Sequence, residues 1–392
     1  MRQLKPNVFE VGAIDWDRRL FDELIPLPDG TTYNAYLIRG SEKTALIDTV
    51  DPSKTETLLG HLAAHGVDHL DYIISNHAEQ DHSGSIPVML ESYPDARVVT
   101  NAKCKAMLLD HLHLDEDRFL VIEDGQTLSL GDKTLRFLIT PWVHWPETMC
   151  TFLEEDGVLF SCDFFGSHLA GSELFVSDEG RVIQDAKRYY AEIMMPFRTA
   201  IVGNLKKVDG LEISMIAPSH GPVYDRPRLI LDAYQSWVSA PPVNKAVLAY
   251  VSMHDSTRAM VEYLTEALIE RDVVVERFDL THGDIGELAM SLVDAATVIL
   301  ASPTVLVGPH PLAAYAATLV NVLRPKARWI GVVGSYGWAG KMVEQLQQIL
   351  SGLKAEVLDP VVVKGLLRED DYQALDAMAD TIAQKHKELK AD

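Results

Sequence analysis

Short apolar runs separated by polar breaks mark the first part of the chain, at residues 32–38, 44–47, 72–75, 97–100, 134–140, 158–161 and 213–217. Their length and β-branched content predict strands, and helical periodicity over 55–65 and 103–111 sets helices between some of them. Mixed sheets flanked by helices are the architecture such a pattern predicts. At 239–245 the rhythm changes, because Pro241 and Pro242 stop a helical pattern over 230–238. Beyond this seam, strands at 246–251, 273–278, 297–301 and 329–333 alternate with helices at 257–271, 285–292, 312–323 and 341–350, and a closing helix starts at 371. That alternation predicts a doubly wound parallel sheet, so the expected domains are 1–241 and 242–392.

Composition narrows the setting. A length of 392 residues suits two domains, and 47% hydrophobic with 23% charged residues is ordinary for a globular protein. No apolar run of about 18 residues predicts a membrane span, and no basic stretch followed by an apolar one opens the sequence, so a cytoplasmic protein is expected. A formal charge of -22 argues against nucleic acid and anionic membranes as partners. Cys104, Cys150 and Cys162 fit neither a disulfide framework nor a zinc knuckle and read as buried reduced thiols.

Candidate chemistry begins directly after the run ending at Ser75, where His77, Glu79, Asp81 and His82 crowd six positions. On an extended segment or a tight loop, residues 77, 79 and 81 can converge on one cation, and His82 points elsewhere. Three further apolar strands end in a ligand type: 134–140 leads to His144, 158–161 to Asp163 and 213–217 to His220. Strand ends opening on one edge hold ligands rigidly from several directions, as a metal centre requires. Glu79, Asp81 and Asp163 carry three negative charges against the four positive charges of two divalent ions. A bridging hydroxide would neutralise the site. Carboxylates mixed with imidazoles favour two irons over two zincs.

The motif resembles that of the metallo-beta-lactamase-like superfamily, His-x-His-x-Asp-His, with Glu79 in place of the second histidine. This variant is similar to the flavodiiron proteins, and the resemblance spans essentially the whole chain. It implies an N-terminal αββα metallo-beta-lactamase-like sandwich followed by a C-terminal flavodoxin-like domain. It further implies that His77, Glu79 and His144 bind one iron, that Asp81 and His220 bind the other, and that Asp163 bridges them. His82 matches a position that ligates in some members of the family and turns away in others. His168 falls close behind the bridging aspartate as a candidate catalytic or supporting residue, and Tyr190 matches a tyrosine near the site. An aromatic residue on a helix is more often simple core.

In the second half, the strand 246–251 runs into Ser252, Met253, His254, Ser256 and Thr257 at the start of a helix, a natural phosphate site that is also a common structural cap. Later strands lead into Pro303, Thr304, Val305 and Leu306, and into Ser335, Tyr336, Gly337, Trp338, Ala339 and Gly340. The three loops resemble those of flavodoxin, which implies FMN with its phosphate in the first loop and its ring between the other two. Asp255 departs from this picture by placing a carboxylate in the phosphate loop, and Val305, Leu306 and Val307 make the second loop unusually apolar.

Together these features predict an enzyme reducing dioxygen to water, nitric oxide to nitrous oxide, or both, at a diiron site fed by FMN. No Cys-x-x-Cys pair of the rubredoxin kind is present, so electrons are expected from an external rubredoxin-like protein or a reduced diffusible cofactor. The resemblance implies a head-to-tail homodimer or a dimer of dimers. A zinc hydrolase with an accessory flavodoxin-like domain is the alternative, and a non-enzymatic electron-transfer or sensing protein with a degenerate metal site is the other.

Overall fold

The computed structural model describes residues 2–338 and 340–389. The chain divides into two compact units, Met1–Tyr190 with Phe197–Val238, and Ala191–Pro196 with Ser239–Asp392.

In the first unit, a seven-stranded sheet is ordered Arg2–Lys5, Val8–Glu10, Tyr36–Arg39, Thr44–Ile47, Tyr72–Ile74, Arg97–Asn101 and Phe119–Ile122. A five-stranded sheet runs Thr127–Ser129, Thr134–Ile139, Met149–Leu153, Val158–Cys162 and Met215–Pro218. Period-two alternation explains how they pack. Ile38, Ala45, Ile47, Ile74 and Val99 share one core with Phe137, Met149, Leu153, Val158 and Phe160, which joins the two sheets face to face. The intervening residues Leu37, Leu46, Ile73 and Val98 point the other way and pack on Leu58 and Leu62 of the helix Thr55–Ala64 and on Leu108 of the helix Ala102–Leu112. With both faces covered, these strands read as continuous apolar runs.

The second unit holds strands in the order Val274–Asp279, Val243–Tyr250, Ala295–Val305, Trp329–Tyr336 and Glu356–Val357, with Val361–Lys364 also pairing on Trp329–Tyr336. All of these pairings are parallel. The first strand in sequence thus lies between the second and third, a switch point where ligands bind doubly wound sheets. Its core packs Leu248, Ile299 and Val333 against Met260 and Leu264 of the helix Ser256–Ile269 and Met378 and Ile382 of the helix Glu369–Glu388. Among the described residues, no helix is long and apolar enough to cross a membrane.

One buried histidine makes this unit acid-sensitive. His386 is 2% exposed, with Nδ1 2.8 Å from Asn244 Oδ1 and Nε2 2.7 Å from Thr297 Oγ1. Burial lowers its pKa from 6.5 to about 4. The unfolded chain therefore takes up this proton first, and stability is lost as pH falls from 6.5 towards 4. Urea midpoints of the native protein should drop over that interval, and His386→Gln should flatten the slope. An equal slope in the variant would remove His386 as its source.

Candidate metal centre and flavin cleft

The strand Tyr72–Ile74 is followed not by further strand but by a short helix, Gln80–Ser83, with Glu79 at its N-cap. Helical spacing corrects the expectation that His82 points away. Its ring turns inward, and Nε2 lies 3.0 Å from Asp163 Oδ1 and 3.3 Å from Asp81 Oδ1. His77 Nε2 lies 3.1 Å from Glu79 Oε2 and 3.3 Å from Asp163 Oδ2, while His144 Nε2 lies 3.0 and 3.3 Å from the same two oxygens. On the other side, His220 Nε2 is 3.2 Å from Asp81 Oδ2 and 3.4 Å from Asp163 Oδ1. Two adjoining ligand sets result, His77 with Glu79, His144 and Asp163, and Asp81 with His82 and His220. Asp163 directs Oδ2 to the first set and Oδ1 to the second.

These separations test whether the side chains fit metal ions. Donors each about 2.0–2.2 Å from a shared cation lie about 2.8–3.1 Å apart at right angles and about 3.3–3.6 Å apart at tetrahedral angles, and the separations fall within that span. Hydrogen bonding among the side chains alone does not account for the cluster. Both oxygens of Asp81 and of Asp163, and the Nε2 atoms of His82 and His220, are buried without a hydrogen-bond partner among the described residues. Burial opposes charge on His144 and His220, yet the carboxylates facing them, Asp163 for both with Glu79 beside His144 and Asp81 beside His220, raise them to about 9 and about 10. The carboxylates thus favour positive charge at their centre, as a site for metal cations requires.

Outer contacts orient the ligands. His77 Nδ1 donates to Glu147 Oε1 at 2.6 Å, and His220 Nδ1 donates to the Thr32 carbonyl at 2.6 Å. Each bond directs the opposite nitrogen into the centre. Gly221 after His220 has φ +81°, and a Cβ there would meet the Ser167 carbonyl oxygen at 2.8 Å. Glycine therefore permits the turn that presents His220.

His168 is a neighbour of the ligand sets rather than a member. Its Nδ1 lies 2.9 Å from Thr31 Oγ1, and its ring packs 4.8 Å from both Tyr189 and His220. Burial and then the His220 charge hold its pKa well below the ordinary value, so the ring stays neutral. Tyr190 packs instead on Tyr234 and Trp237. Tyr189 takes the position expected of Tyr190, because one helical residue rotates a side chain by about 100°. Its buried hydroxyl has no partner among the described residues, and burial followed by the Asp163 charge raises its pKa well above the usual range. Glu147, Thr31, Thr32 and Tyr189 were not singled out by sequence. Glu147 had one available signal, a carboxylate three residues after a candidate ligand.

In the second unit, a cavity of about 180 Å³ is lined by Met253, His254, Ser256, Thr257, Pro303, Thr304, Ser335, Tyr336 and Gly337, all expected, and by Gly365, which was not. Ser252, Val305, Leu306 and Trp338 do not line it, and Ala339 lies outside the described residues. The reason for Val305 and Leu306 is that the strand Ala295–Val305 runs on into a hairpin with Gly308–Pro309. Leu306, 93% exposed, stands at its tip. Gly340 lines an adjoining cavity of about 150 Å³ that shares Thr304 and Tyr336. A Cβ on Gly340 would meet Thr304 Cγ2 at 2.6 Å, so these loops approach as closely as glycine allows. Asp255 has an 82% exposed side chain, 3.6 Å from Arg258, and makes no side-chain cap on the helix Ser256–Ile269. The carboxylate therefore turns to solvent and leaves the N-terminus of this helix, which borders the cavity, open to an anion.

Comparison with known proteins agrees with this two-part geometry. The family model described as ODP family beta lactamase matches residues 31–221, the part containing both ligand sets. The nitric oxide reductase of Moorella thermoacetica is 34% identical, with 90% of each chain covered. The rubredoxin-oxygen oxidoreductase of Megalodesulfovibrio gigas is 33% identical, with 96% of each covered. The crystal structure of the flavodiiron protein from Giardia intestinalis superposes with a TM-score of 0.93 at 27% identity, covering 99% of this chain and 97% of that one. With near-complete coverage at these identities, and a centre in which Glu79 stands between His77 and Asp81, the chain belongs to the flavodiiron protein family.

Proposed function

We propose that the chain is a flavodiiron oxidoreductase that reduces dioxygen, nitric oxide or both, with the metal centre in the first unit and FMN in the second. The observation carrying this reading is Asp163, one carboxylate serving two ligand sets. Two irons held by His77, Glu79, His144, Asp163, Asp81, His82 and His220 would supply redox chemistry at a site for a small diatomic oxidant, and FMN would supply electrons in pairs. Glu79, Asp81 and Asp163 balance most of the charge of two divalent ions. Nδ1 contacts to Glu147 and the Thr32 carbonyl orient His77 and His220. Tyr189 keeps its proton and offers a hydroxyl beside Asp163. Phe21, 4.9 Å from His168 and 6.4 Å from His220, gives that side an apolar wall against water.

A zinc hydrolase is not favoured, because relatives covering both units are named oxidoreductases. The external donor is a rubredoxin-type protein or a small reduced carrier. Three buried, unpaired cysteines suit a reducing cytoplasm. Anaerobically reduced full-length protein, loaded with iron and FMN, should consume dioxygen or nitric oxide catalytically when supplied with reduced rubredoxin. Failure to consume either gas with both cofactors bound would refute the reading.

Electron delivery passes from the flavin of one copy to the metal centre of the other in a head-to-tail dimer. Mixed dimers therefore provide a prediction. His144→Ala and Ser256→Glu homodimers should each be nearly inactive, whereas co-expressed mixed dimers should recover a substantial fraction of wild-type turnover. No recovery in verified mixed dimers would place delivery within a single copy.

A further inference from the structure

We propose that Glu147 is a positioning residue that makes the two metal positions electronically unequal, its carboxylate enriching His77 and lowering the reduction potential of the iron that His77 holds. The inference rests on the diiron reading above and assigns a redox asymmetry within it.

The contrast lies in what each imidazole meets behind the metal centre. His77 Nδ1 lies 2.6 Å from Glu147 Oε1, and both side chains are wholly buried. The same carboxylate oxygen accepts the Ala78 amide at 3.1 Å, while Asn101 Nδ2 donates to the Glu147 carbonyl at 2.7 Å. The carboxylate is therefore fixed by the Ala78 amide, and the backbone that carries it by the Asn101 side chain. His220 Nδ1, by contrast, meets the neutral Thr32 carbonyl at 2.6 Å and the neutral Thr31 hydroxyl at 3.3 Å. No carboxylate stands behind His220 in these contacts.

A hydrogen bond to a carboxylate is roughly twice as strong as one to a neutral acceptor, and in a buried site solvent does little to screen it. An imidazole donating to a carboxylate is also the more basic ligand at its other nitrogen. More basic ligation favours the higher oxidation state, so the iron at His77 is the easier to oxidise and the harder to reduce. The first electron taken up would settle at the His220 position. Neither the dense ligand motif nor the ligand sets themselves impose that order, since each set carries carboxylate and imidazole alike.

Glu147→Gln separates charge from shape, because the amide oxygen can still accept from His77 and Ala78. Full-length wild type and variant would be loaded with ferrous iron and FMN, then titrated anaerobically, with the mixed-valence pair followed by EPR and Mössbauer spectroscopy. The variant should show a raised potential for the harder-to-reduce iron, an unchanged flavin potential, and a ferrous affinity at one of two positions lower by roughly tenfold or more. Glu147→Asp keeps the charge at a longer reach and should shift both quantities in the same direction by less, which preserves the test if the glutamine variant does not fold. Iron potentials and ferrous affinity matching wild type in either folded variant would overturn the inference while leaving the diiron reading intact. A wild-type chain that takes up no iron would overturn that reading, and this inference with it.

Discussion

Asp163→Asn is expected to lower iron affinity by roughly 100-fold or more and to abolish gas reduction, while FMN binding and the flavin spectrum stay unchanged. Each oxygen of Asp163 serves a different ligand set, with Oδ2 3.3 Å from both His77 and His144 and Oδ1 within 3.4 Å of both His82 and His220. The amide removes one of three ligand charges and turns one oxygen into a donor facing imidazoles. Loss of a single peripheral ligand such as His144 disturbs one set, whereas this change disturbs both. Iron quantified after dialysis against a weak chelator checks the expectation. Two retained irons with normal turnover would contradict the bridging role.

Ser256→Glu should produce a protein that keeps its iron but loses FMN, with flavin affinity lowered by two orders of magnitude or about 3 kcal/mol. Ser256 lines the flavin cleft at the first position of the helix Ser256–Ile269. A carboxylate there would occupy the hollow and meet a phosphate with like charge, cancelling the attraction of the helix N-terminus. Ser256 is only partly buried, so the new charge can remain hydrated and the unit should stay folded. Fluorescence titration of the apoprotein with FMN gives the affinity. Undiminished binding would remove this loop from the phosphate site.

The metal-binding pattern was legible because each candidate ligand follows an apolar run whose residues must be buried, which fixes where the strands end. Glu79 carried further information, since replacing an imidazole by a carboxylate changes the metal the set prefers. Strand parity turned His82 away from the centre, because it was applied to a segment that is helical from Gln80 to Ser83, whereas the family motif kept His82 among the candidate ligands. Tyr189 and Tyr190 are adjacent, and only the rotation of the helix Glu179–Tyr189 distinguishes the one facing the centre from the one in the core. Backbone partners are less accessible still, as any residue could supply the carbonyl that Thr32 offers His220. In the second unit, the parallel rhythm was plain, but Ser302 to Val305 continue a strand that sequence ends at Ala301. Gly365 reaches the cleft through a strand pairing far along the chain, Lys364 beside Tyr336, which local pattern does not encode.

Metal and flavin content of the protein purified without added metal tests the central claim most directly, by elemental analysis alongside a visible spectrum. Two ligand sets and one flavin cleft predict about two irons and one FMN per chain. Zinc in both positions with no flavin, persisting after reconstitution with ferrous iron and FMN, would contradict it.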